Sequence, residues 1–99
     1  MVDQQTLMER LVSDFGYPRA GARTVARKLA SSQPEIQKAL ENWWREEELP
    51  GLVVKGYDFR RLRDEHNMNP IAIFLTLDWL LREPQKAAAS LRKGHDHLD

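Results

Sequence analysis

Ser32-Gln33-Pro34-Glu35-Ile36-Gln37-Lys38-Ala39-Leu40-Glu41-Asn42-Trp43-Trp44 is the stretch that decides the fold class. A serine with a glutamate three residues on has the pattern of a capping box. Each side chain there satisfies a backbone N–H that the first helical turn leaves orphaned. Pro34 suits that turn, because its missing N–H is one of the orphans. Ile36, Ala39, Leu40, Trp43 and Trp44 then recur at i, i+3, i+4, i+7 and i+8, an apolar stripe of helical period. The spacing predicts a helix that ends at Leu49-Pro50-Gly51, with Trp43 at the centre of its buried stripe and Trp44 at the edge.

The same punctuation continues in both directions. Toward the N-terminus, Asp3 can cap a helix carrying Leu7, Met8, Leu11, Val12 and Phe15, with Gly16 as its stop. Pro18 opens a second helix whose inward face reads Ala22, Val25, Ala26 and Leu29. Toward the C-terminus, Leu52-Val53-Val54 is β-branched, but no second strand candidate exists to pair with it, so it reads as an extended connection. Asp58 can cap a fourth helix bearing Phe59, Leu62 and His66, and Asn67 tolerates a left-handed stop. Asn69-Pro70 starts a fifth helix, and Pro84 breaks it and opens an alanine-rich sixth that ends at Gly94. The expectation is an all-α compact bundle of about six short helices. Residues 1–94 form a single domain in two three-helix halves, 2–49 and 57–94, and 95–99 form a flexible tail.

Composition bounds what such a bundle can do. The chain has 99 residues, enough for one core of ordinary size. Lys+Arg and Asp+Glu both number 15, so no global field draws the protein to nucleic acid or to an anionic membrane. The absence of cysteine excludes disulfides, thiolate metal sites and cysteine nucleophiles. The longest apolar run, Ile71 to Leu81, is broken by Thr76 and Asp78 and is too short for a membrane span. No basic-then-apolar leader opens the sequence, which predicts a cytoplasmic protein.

Three features are candidates for function. Leu11, Phe15, Gly16, Tyr17, Ala22 and Val25 follow the rhythm of a helix-turn-helix, whose second helix would offer Arg19, Arg23 and Arg27 in one line, with Lys28 further round. Arginine makes bidentate contacts to guanine or phosphate, so the residue type fits a nucleic-acid surface. The Phe15-Gly16-Tyr17 turn is also similar to the first loop of ubiquitin-associated domains. That match covers only the turn and the three-helix layout, and assigns no family. In the second half, the fifth helix has nine apolar residues in eleven between Ile71 and Leu81, which suits a core element partly closed by another subunit. Asp78 and Arg82 mark its outward line, which puts Ile71 and Leu75 on the apolar surface offered to another chain and Ile73, Leu77 and Leu80 inside. Trp44, at the edge of its stripe, is the third candidate, because edge aromatics serve interfaces.

Catalysis is not expected. There is no phosphate-cradling glycine loop, no nucleophile elbow and no Glu-x-x-His pair. His95-Asp96-His97 with Asp99 has metal-ligand types, but on a tail without a second shell it reads as adventitious. His66 reads as a packing residue, and Glu46-Glu47-Glu48 as a solvated helix end or an acidic docking patch. The expectation is a non-catalytic protein without cofactor, metal or small-molecule ligand. A protein partner or a homodimer, met through Trp44, Ile71 and Leu75, stands ahead of DNA, met through Arg19, Arg23, Arg27 and Lys28.

Overall fold

The computed structural model describes the backbone of residues 3–97 and the side chains of residues 3–93. Six α-helices occupy the described residues: α1 (Gln4–Phe15), α2 (Arg19–Ala30), α3 (Pro34–Glu46), α4 (Phe59–His66), α5 (Pro70–Arg82) and α6 (Pro84–His97). The all-α expectation holds. Helix α6 runs on past Gly94, where a stop was predicted, so the first three residues of the expected tail are helical backbone.

Most helix boundaries are set by the residues next to them. Asp3 accepts from the Thr6 N–H at 3.0 Å and the Thr6 hydroxyl at 2.9 Å. Asp58 caps α4 through the Arg61 N–H at 2.8 Å, and Asn69 caps α5 through the Ala72 N–H at 2.9 Å. Gly16 stops α1 in the left-handed region, at φ 69°, which lets the Tyr17 N–H reach back to the Leu11 carbonyl. Helix α3 ends earlier than predicted, because Glu47 takes the left-handed cap position at φ 53°. Between α3 and α4, Val54 and Tyr57 form a single antiparallel bridge across Lys55 and Gly56, both at positive φ. No strand forms there, as expected.

The start of α3 is a correction. Ser32 makes no capping box: its buried hydroxyl donates backward to the Leu29 carbonyl at 2.6 Å. The N-cap is Gln33, one residue later, which moves the third helical position from Glu35 to Ile36. An isoleucine cannot reach back to the cap amide. Asp78 of α5 takes that amide instead, its Oδ1 accepting from the Gln33 N–H at 2.8 Å.

Helix α5 sits at the centre and packs against α2, α3, α4 and α6, which joins the two halves around one core. Ile73, Leu77 and Leu80 are fully buried, as their side of the wheel predicts, and Phe74, which flanks the Asp78–Arg82 line, is fully buried as well. Ile71 is fully buried too, which overturns its assignment to an exposed interface. With partners on four helices, α5 is covered by this chain at Ile71. Leu75 is half-buried. In the other half, Phe15 of α1 meets Trp43 and Trp44 of α3 at ring distances of 6.4 and 6.2 Å. Phe74 joins this cluster, at 5.7 Å from both Trp43 and Phe59. The centre of the α3 stripe is held by Ile36 and Leu40, both fully buried. Trp43 is only half-buried, because the broad Phe15–Trp43–Trp44 cluster closes the bundle at its rim.

Candidate functional site

Helix α2 is built with one packed face and one free face. Ala22, Ala26 and Leu29 are fully buried, and the small alanines let the helix lie close to its neighbours. At 100° per residue, Ala20, Thr24, Arg27 and Lys28 fall on the far side, Arg23 lies beside the packed face and Arg19 next to Ala26 in the first turn, and all of them are exposed. The four cations span about 14 Å of helix, at 1.5 Å per residue.

These cations have no carboxylate beside them along the chain. The sequence holds no Asp or Glu between Asp14 and Glu35. Among the described residues, none of Arg19, Arg23, Arg27 and Lys28 forms an ion pair, whereas Arg10, Arg61, Arg63 and Arg82 each do. Thr24 turns its hydroxyl to the Ala20 carbonyl, so the donors this face offers outward are guanidinium and ammonium groups.

At its C-terminal end the face runs into a groove of about 310 Å³ between α2 and α5, lined by Lys28, Ser31, Leu75, Asp78, Trp79 and Arg82. The polar groups of α5 here are already engaged. Asp78 pairs with the Arg82 Nε at 2.9 Å, and Arg82 Nη2 donates to the Ser31 carbonyl at 2.6 Å. The Trp79 indole N–H donates to Glu83 at 3.2 Å. Leu75 and the Trp79 ring, both half-buried, remain as an apolar floor between Lys28 and Arg82.

The fold therefore joins two candidates that the sequence placed apart, the basic line of α2 and Leu75. Ile71 is excluded by burial. Trp44 stands elsewhere, in a wider groove of about 560 Å³ between α1 and α3, with the Arg10 guanidinium 4.6 Å above its ring. Sequence reasoning did not foresee Trp79 and Arg82 beside Lys28. The available signal was the i, i+4 pairing of Leu75 with Trp79 and of Asp78 with Arg82, one turn apart on one helix.

Groups that commonly do chemistry are otherwise employed. Among the described residues, no three His, Cys, Asp or Glu side chains gather as a metal site would require. The side chains of His95, Asp96, His97 and Asp99 lie outside the described residues. The His66 ring packs against Tyr57 at 5.8 Å. The Asp64 carboxyl is held below the ordinary range by its hydrogen bond from Arg63, a surface pair remote in sequence from both α2 and the groove. No described helix is long and apolar enough to cross a membrane. No protein-family model, curated protein or solved structure matches the chain.

Proposed function

We propose that this chain is a non-catalytic interaction module that binds an acidic protein surface through the outer face of α2. The observation that carries this reading is the row of four exposed cations, none in an ion pair among the described residues, on a helix whose other face is locked into the core. Exposed Arg and Lys that form no ion pair keep their donors for a partner. The groove at the end of the row adds apolar area from Leu75 and Trp79, which protein partners use and phosphate backbones do not. A net charge of zero lends no long-range attraction to nucleic acid, which also favours a protein partner.

DNA is the second reading, and one observation favours it. The left-handed turn at Gly16 sets α2 after α1 with its polar face free, as a reading helix needs. Fluorescence anisotropy with a labelled poly-glutamate peptide and a labelled DNA duplex separates the two. Peptide binding that is lost in Arg19/Arg23/Arg27→Ala, with helical circular dichroism retained, supports the protein-binding module. Duplex binding with a steep salt dependence, and none to the peptide, moves the function to DNA. Binding to neither probe at low salt overturns both readings.

A further inference from the structure

The acidic surface that α2 calls for is carried by the chain itself. Resting on the reading of α2 as a binding face, we propose that a second copy of this chain docks there. The Glu46-Glu47-Glu48 run of one copy lies along Arg19, Arg23, Arg27 and Lys28 of the other, and the adjoining Leu49 or Val53 enters the groove floored by Leu75 and Trp79.

Charge is balanced over the whole chain but segregated on its surface. Fifteen basic and fifteen acidic residues cancel, yet every charged residue of α2 is a cation and the end of α3 presents three consecutive anions. Glu46, Glu47 and Glu48 are all exposed, and none forms an ion pair among the described residues. They stand at a helix C-terminus, where the macrodipole is negative and carboxylates are unfavourable. Cations brought in from another molecule would relieve that repulsion.

The apolar surface is distributed in the matching way. Among the described residues, the exposed large hydrophobics are Leu49 at 36% and Val53 at 60%, both in the segment that follows the acidic run. The apolar floor with cations beside it is the Leu75–Trp79 groove, at the end of the basic row. The basic row covers about 14 Å, and the segment from Glu46 to Val53, which leaves α3 through the left-handed Glu47, has a contour of at most roughly 23 Å. The carboxylates nearest the groove do not compete for Lys28, since Asp78 holds Arg82 and the Gln33 amide, and Glu83 accepts from Trp79. Contacts of this kind are exposed at their edges, so association should weaken steeply with salt.

Light scattering over a range of protein concentrations tests the proposal. At low salt the mass should rise above the 11.5 kDa monomer, and high salt should return it there. Glu46/Glu47/Glu48→Lys and Arg19/Arg23/Arg27→Glu should each be monomeric alone, and their equimolar mixture should associate again, because each copy then offers what the other lacks. Lysines at the end of α3 agree with the helix dipole, so the first variant keeps its fold, checked by circular dichroism. Should glutamates on α2 unfold it, Arg19/Arg23/Arg27→Gln replaces that variant and is expected to be monomeric. Val53→Ser should weaken the wild-type association. A wild type that stays monomeric at low salt and high concentration overturns the proposal, as does association that survives either charge change. Poly-glutamate binding by a protein that remains monomeric would leave α2 as the binding face and remove only the second copy. Loss of both would remove the module reading as well.

Discussion

Asp78, on α5, accepts a hydrogen bond at 2.8 Å from the backbone N–H of Gln33, 45 residues earlier in the chain. Its other oxygen pairs with Arg82, which in turn donates to the Ser31 carbonyl. One turn of α5 thus grips the α2–α3 connection and joins the halves through polar contacts as well as core packing. Asp78→Ala should cost about 2 kcal/mol, the range for a hydrogen bond to a charged group whose loss orphans the donor. Ser32→Ala removes only the bond to Leu29 and should cost about 1 kcal/mol. Urea denaturation should rank Asp78→Ala as the worse of the two. The reverse ranking would mean that Ser32, not Asp78, secures the start of α3.

Burial separates Ile71 from Leu75 although both lie on one edge of α5. Ile71 is fully buried, so Ile71→Ala should cost about 2–4 kcal/mol through lost transfer energy and a residual cavity. Leu75 is half-buried and borders an open groove, so Leu75→Ala leaves no closed cavity and should cost less than half as much. Equal losses in chemical denaturation would place Leu75 in the core.

Glu47 holds the left-handed cap of α3 at φ 53°, and among the described residues its side chain forms no ion pair. A residue with a Cβ carries roughly 1–2 kcal/mol of strain in that region. Glu47→Gly should therefore raise stability by about 1 kcal/mol, after the entropy of the more flexible unfolded chain is set against the relief. A lower urea midpoint in the variant would show that the strain is compensated elsewhere.

Asp3 gives the fold a pH dependence at the acid end. The Thr6 N–H, and then the Thr6 hydroxyl, hold its carboxyl below the ordinary range in the folded state. A group with a depressed folded pKa contributes stability that is present above its unfolded value, about 4, and is lost as pH falls through the folded value. Asp3→Asn keeps a capping acceptor but cannot titrate. The stability of the wild type relative to Asp3→Asn should thus be constant near neutrality and decline below about pH 4. A difference that does not change with pH on the acid side would show that Asp3 stabilises α1 without its charge.

Most helix starts were legible because their causes are local. Asp3, Asp58 and Asn69 each satisfy an amide three residues on, and Gly16 and Asn67 each stop the helix just before them. A side chain and its own backbone meet whatever the rest of the chain does, so residue type and spacing suffice. The basic line of α2 was legible for the same reason. The period that buries Ala22, Ala26 and Leu29 puts Arg23 and Arg27 beside that face, and Arg19 is exposed in the first turn of the helix.

What only the tertiary structure decided concerns groups whose partners are far along the chain. Ser32 and Glu35 carried the spacing of a capping box, yet the amide at the start of α3 is satisfied from α5, and local spacing cannot reveal an acceptor 45 residues away. Asp78 and Arg82 pointed to an outward edge on α5, since charges seek water or a partner. Their partner is the α2–α3 connection, so Asp78 is largely covered and Ile71, one end of that edge, is fully buried, while Arg82 at the other end stays exposed. A helix apolar on nearly every side has no pattern of its own to fix its rotation. Its neighbours fix it, and they alone bring Lys28 beside Leu75, Trp79 and Arg82.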